Sequence, residues 1–192
     1  MHEPLPDQSL REQFPRVLAA ACAGGEWAWR ELYEAVAPHL TRYLRARGVP
    51  EPGDVVGETF VKVVRYIEGF DGDEAAFRTW VFTIGRNLVV DDLRKRSRRP
   101  VDVAPDEQLV KAGPRGDAED DAMRDLATAH VEEVLDHLSV DQRDVLLLRI
   151  LGGLTIGEIA LVVGKKEGAV KMLQARGLAA IRKQISAGTV TL

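Results

Sequence analysis

Along most of the chain, large apolar residues recur three and four positions apart, and no stretch shows a sustained period-two alternation rich in β-branched and aromatic residues. A helix buries one stripe at a period of 3.6 and a strand one face at a period of two. A chain that supplies only the first pattern builds its core from helix on helix. The clearest case is a helix expected from about Glu74 to Arg98. Phe77, Trp80, Val81, Ile84 and Leu88 form one stripe, while Arg78, Phe82 and Arg86 roughly share another face. Three helices are expected before it. One lies near Phe14–Ala23 and is stopped by Gly24-Gly25. The next runs from about Glu26 to Arg47, with Trp29, Leu32, Tyr33, Val36, Leu40, Tyr43 and Leu44 on one face. Pro38 falls inside it and is expected to kink or split it. Asp54 is the expected N-cap of the third, which ends near Glu68, and "GFDGD" at 69–73 is a turn.

Residues 100–121 break the pattern. "PVDVAPDEQLVKAGPRGDAEDD" holds Pro100, Pro105 and Pro114, many acids and no helical stripe, and reads as a flexible acidic linker. The organisation expected is therefore all-α, two small helical domains joined by that linker: a flexible N-terminus at 1–13, a first domain at 14–99, the linker at 100–121, a second domain at 122–186 and a tail at 187–192.

In the second domain Val131, Val134, Leu135 and Leu138 make a stripe. "SVDQ" and "TIGE" are two capping boxes, Ser139 with Gln142 and Thr155 with Glu158. The helix opened by Thr155 turns Ile156, Ile159, Ala160 and Val163 inward, and Gly164 suits its left-handed end. A last helix from about Glu167 to Ser186 packs through Val170, Leu173, Leu178, Ile181 and Ile185. A short capped helix, a glycine turn and a longer basic helix form a helix-turn-helix outline. Such a motif lays the start of its second helix in the major groove. A plain αα-hairpin has the same outline, and pattern alone does not separate the two.

Charge is unevenly spread. The chain carries a net charge of −4, yet Arg94, Lys95, Arg96, Arg98 and Arg99 crowd one helix end. A helix C-terminus welcomes cations, but its dipole amounts to only about half a charge. Five packed like charges call for an anion opposite them. The four histidines, His2, His39, His130 and His137, form no H-E-x-x-H pair, and no G-x-x-x-x-G-K-[ST] loop occurs. No catalytic constellation, metal site or cofactor is expected. Cys22, the single cysteine, and the tryptophans Trp27, Trp29 and Trp80 are expected in the core. One cysteine, a polar start and no long apolar run agree with a cytoplasmic protein that does not insert into membranes.

"LSVDQRDVLLLRILGGLTIGEIALVVGKKEGAVK" resembles the promoter-reading C-terminal domain of bacterial RNA polymerase sigma factors. "DVVGETFVKVV" and "FRTWVFTIGRNLVVDDLRKRSRR" look like their core-binding and promoter-melting domain. With "WRELYEAVAPHLTRYLRARG" the resemblance covers nearly all of residues 14–186, in the family's order and with no third domain between. That outline is similar to the two-domain, extracytoplasmic-function class.

The resemblance implies a transcription initiation factor rather than an enzyme, with core RNA polymerase, promoter DNA and an anti-sigma factor as partners. Asp54, Glu58 and Phe60 would meet the polymerase; Gly57 departs from the family, which often has glutamine there. Phe70, Asp71 and Asp73 would capture an extruded −10 base, a step costing a few kcal/mol that a fitted pocket must offset. Arg78, Arg86 and Asn87 of the "IGRN" helix, then Arg94, Lys95, Arg96, Arg98 and Arg99, would lie along −10 DNA. Asp92 departs from the family and is expected to turn away from it. Lys165, Lys166, Glu167, Lys171, Gln174 and Arg176 would meet the −35 element. The acidic linker would thread polymerase channels that bind polyanions. The alternative is a stand-alone helix-turn-helix regulator that needs no polymerase. It explains residues 130–186 and leaves the first domain without a task.

Overall fold

The structure, a computed structural model, describes residues 8–98 and 137–186. Its elements are α1 (Gln8–Cys22), α2 (Glu26–Ala46), α3 (Pro52–Tyr66), a 3₁₀ turn (Ile67–Gly69) and α4 (Glu74–Arg98), then α5 (Val140–Ile150), α6 (Ile156–Val163) and α7 (Glu167–Ser186). No strand occurs among the described residues. The acidic linker, Val131, Val134, Leu135 and the tail at 187–192 lie outside them.

The first four helices close around one core. Leu10, Phe14, Val17 and Ala21 of α1 are buried at helical spacing, as are Leu32, Val36, Leu40, Tyr43 and Leu44 of α2. Fully burying a leucine such as Leu32 or Leu40 contributes roughly 2 kcal/mol. This burial explains why α2 runs unbroken past Pro38 instead of splitting. Val36, Ala37 and Leu40 are buried on both sides of the proline, so packing outweighs the lost backbone bond of roughly 3 kcal/mol. Thr41 Oγ1 donates to the Ala37 carbonyl across the same turn, at 2.7 Å. α3 begins at Pro52, with Glu51 at the N-cap. Asp54 thus sits in the first turn rather than at the cap, because proline is pre-set for the first helical position.

Two other core expectations are corrected. Cys22 is exposed at the last residue of α1, beside the glycine stop. Trp27 stands 47% exposed at the start of α2, where the Arg16 guanidinium lies 5.7 Å from its ring centroid. Both residues sit where a helix ends, and a stripe loses its neighbours there.

In the second unit both capping boxes form. Ser139 Oγ accepts from the Gln142 N–H while Gln142 Oε1 accepts from the Ser139 N–H, at 3.3 and 3.0 Å. Thr155 and Glu158 repeat the arrangement at the start of α6. Gly164 ends α6 at φ +65°, the left-handed conformation that glycine adopts without steric cost. α5 is enclosed: Asp144, Val145, Leu146, Leu147 and Leu148 are all buried. Five consecutive buried positions run past a full turn, so the middle of α5 is covered on every side, while Val140 and Ile150 at its ends are exposed. α7 covers one side, and it comes close enough only at a glycine. A Cβ on Gly177 would lie 2.9 Å from Leu146 Cδ1.

Candidate nucleic-acid interface

The helix-turn-helix presents its charges outward. Lys166, Glu167, Lys171 and Arg176 are exposed on or just before the first turns of α7, and Gln174 is half-buried. Val170, buried between them, anchors the helix. Lys165 is engaged within the unit, its Nζ 3.0 Å from Asp141 Oδ2. The face left open is therefore Lys166, Glu167, Lys171 and Arg176, a surface suited to phosphate and base edges.

α3 turns a second face to solvent. Asp54, Gly57, Glu58 and Val61 are exposed at offsets of three, four and seven. Phe60 lies off that face. It is buried, with its ring 4.7 Å from that of Tyr33, so it sets the helix in the core and offers no side chain outward. The groove between α3 and α4 is lined by Asp54, Glu58, Asp91, Asp92 and Lys95, together with Arg47. Asp92 thus turns into this groove.

The expected base-capture loop is partly structural. Phe70 is half-buried and stacks on Trp80 at 5.1 Å and 21°, with Phe14 and Phe77 at its edges. Asp73 Oδ1 accepts from the Ala76 N–H at 2.8 Å and so caps α4. Asp71 is exposed. Along α4, Asn87, Arg94 and Lys95 are exposed, with Arg94 3.8 Å from Asp91. Arg96 and Arg98 belong to the helix, and Arg99 lies outside the described residues.

Arg78 and Arg86 are placed differently. With Phe82 they face the second unit, and α4 packs directly on α6. Phe82 is fully buried, 5.7 Å from the Tyr43 ring. Gly152 leaves room for it, since a Cβ there would lie 3.1 Å from Phe82 Cε1. Arg78 reaches between Glu74 and Glu158, at 3.7 and 3.9 Å, while its buried Nε has no acceptor. Arg86 Nε donates to Asp144 Oδ2 at 2.7 Å. Tyr43 Oη donates to Asp144 Oδ1 at 2.6 Å, and Arg47 pairs with the same oxygen. Arg143 donates to the Ala46 carbonyl at 2.8 Å, and His39 Nδ1 lies 3.1 Å from the Leu151 carbonyl oxygen.

Asp144 is thus an acid of the second unit buried wholly among donors of the first. Burial pushes its carboxyl up, but Arg47 and the hydrogen bonds from Tyr43, Arg47 and Arg86 outweigh that and hold it below the usual carboxylate range. Burial, then the Asp144 charge, raises the Tyr43 phenol well above its ordinary value, so it remains a neutral donor. Burial alone disfavours the Arg47 charge, yet Tyr43 and Asp144 more than compensate. Sequence reading missed this centre. The available signal was Asp144 beside four consecutive aliphatics, 145–148, a run that surrounds the helix and leaves an adjacent acid little room to face water.

Comparison with known proteins adds what geometry alone leaves open. Residues 32–99 match the Sigma-70 region 2 family model and residues 129–181 the Sigma-70 region 4 model. The ECF RNA polymerase sigma factor SigD of Mycobacterium tuberculosis is 30% identical over 185 residues, covering 92% of this chain and 85% of SigD. The chain belongs to the extracytoplasmic-function sigma factors. BldN of Streptomyces coelicolor, another ECF sigma factor, is 34% identical over 160 residues, 82% of this sigma factor; those residues span 60% of BldN. CnrH of Cupriavidus metallidurans is 31% identical over 169 residues, 83% of this chain and 88% of CnrH. The structure of CnrH in complex with the cytosolic domain of CnrY superposes with a TM-score of 0.64 at 26% identity, covering 90% of this sigma factor and 96% of that chain. The stand-alone regulator is not favoured, since region 2 supplies a task for the first unit. Among the described residues no helix is long and apolar enough to cross a membrane.

Proposed function

We propose that this sigma factor binds core RNA polymerase through the exposed face of α3, contacts −10 DNA with the loop at 70–73 and with α4, and reads the −35 element with α7. The supporting observation is the solvent-facing row Lys166, Glu167, Lys171 and Arg176 on the second helix of a region 4 fold, carried on the same chain as region 2. Asp54 and Glu58 give the α3 face its acidic character, suited to a basic partner helix. An anti-sigma factor is the proposed regulator; the structurally similar CnrH was solved in complex with the cytosolic domain of CnrY. In vitro transcription with core polymerase and a genomic promoter library tests the role. Initiation at defined sites that requires this chain is expected. Lys171→Ala and Arg176→Ala are each expected to lower the salt slope of holoenzyme–promoter binding by about one per lost phosphate contact. Start sites identical with and without the protein would refute the assignment.

A further inference from the structure

Nothing in promoter recognition asks region 4 to bury a carboxylate inside region 2. Yet Asp144, 2% exposed, receives hydrogen bonds or ion pairs from Tyr43, Arg47 and Arg86, all in α2, α4 or the residue that caps α2. Both carboxylate oxygens are used, Oδ1 by Tyr43 and Arg47 and Oδ2 by Arg86. Charge-assisted bonds of this kind are about twice as strong as neutral ones. Around them the seam is closely packed: Phe82 lies against Gly152, Arg143 bonds the Ala46 carbonyl, and Arg78 reaches Glu158.

We propose that Asp144 is an intramolecular clasp that closes the free sigma factor on itself, occupying Arg86 in place of a DNA phosphate and withholding the Arg78–Phe82–Arg86 face of α4 until the two units part. A carboxylate offers a guanidinium the same fork of oxygens that a phosphate does. Arg86 cannot serve both at once, so DNA engagement and the closed form compete. The clasp also differs from a closure made by the acidic linker folding onto the basic end of α4. Surface charges at that end are screened by salt, whereas a buried ion cluster is screened far less. The part of the inference that concerns DNA rests on the promoter-facing role proposed for Arg86; the closed form itself does not.

The test uses the full chain. Small-angle scattering of wild type is expected to give the same compact dimensions at low and high salt. Asp144→Asn keeps the shape and withdraws the charge. It is expected to shift the closed–open equilibrium toward the open form roughly ten- to a hundredfold, the scale of losing charge-assisted bonds, and to enlarge the radius of gyration. Affinity of the free chain for a random-sequence duplex oligonucleotide should rise with it. Helix content by circular dichroism accompanies each measurement. Should Asp144→Asn lose helix, Tyr43→Phe is read in its place, since it keeps the ring and removes one donor. Wild-type dimensions in a helical Asp144→Asn or Tyr43→Phe variant overturn the clasp. So does a wild-type chain that expands in salt. Transcription with core polymerase separates this outcome from the functional assignment. Unchanged dimensions with promoter-specific initiation intact remove the clasp alone. An opened variant, where neither protein directs initiation, removes the sigma role and leaves the clasp standing.

Discussion

In the first unit two arginines of α4, Arg78 near its start and Arg86 at its centre, are tucked against carboxylates, whereas in the second unit the first turns of α7 stand their charges in solvent. Arg86 and Arg78 meet Asp144 and Glu158, while Lys166, Lys171 and Arg176 face outward. Both regions are cationic surfaces in the sequence. The difference arises because α4 is covered on two sides, by its own core and by α6, and α7 on one. A basic residue is thus available for DNA only if the opposite unit leaves it uncovered, and that is a property of the pair of units.

The contrast is broken most severely at Phe82. Phe82→Ala leaves a cavity where both units meet and is expected to cost about 3 kcal/mol, as large-to-small core changes do. Calorimetry should then show one cooperative unfolding transition separating into two; a single transition at the wild-type temperature would count against a shared core. Titration attacks the same seam without removing volume. Because the Asp144 carboxyl is held below its usual value, its contribution is complete above about pH 4. It fades only as the pH falls through the lowered value. The stability difference between wild type and Asp144→Asn, followed by denaturant unfolding, should therefore be flat across neutral pH and shrink in acid.

Much of this comparison was legible in the sequence, and the reason is locality. The capping boxes at Ser139 and Thr155, the left-handed Gly164 and the bounds of α4 depend on residues within a few positions of one another, and each forms as the pattern predicts. Asp54 and Pro38 were local too, but there a competing effect won: proline's preference for the first helical turn in one case, burial on both sides in the other. The face shared by Arg78, Phe82 and Arg86 was visible as a face; what covers it was not. Tyr43 and Asp144 are 101 residues apart in the chain, and no spacing rule reaches that far. Phe60 and Phe70 show the same limit within one unit. An aromatic in a motif reads as a contact for a partner until Tyr33 or Trp80 is found against it.

Smaller changes sharpen the contrast by acting on one unit alone. Gly177→Val overfills the α5–α7 crossing beside Leu146 and is expected to destabilise the second unit by about 2 kcal/mol. Hydrogen exchange should rise in α5 to α7 and stay unchanged at the centre of α2. Gly57→Ala meets nothing within 4 Å and lies on the exposed face of α3. It is expected to stabilise the first unit by about 0.5–1 kcal/mol, seen as a higher unfolding midpoint. Polymerase affinity measured on the same variant shows whether a bare backbone at that position serves docking: weaker binding despite greater stability would mean that it does.

The buried Nε of Arg78, which finds no acceptor among the described residues, has an energetic meaning. A sequestered N–H without a partner costs about 1–3 kcal/mol, and that cost vanishes once water reaches it. In the proposed closed form that unpaired N–H acts as a counterweight to the clasp. The proposed closed form then rests on a balance in which Arg86 holds the halves together while the Nε of Arg78, about two turns earlier on the same face, favours their release.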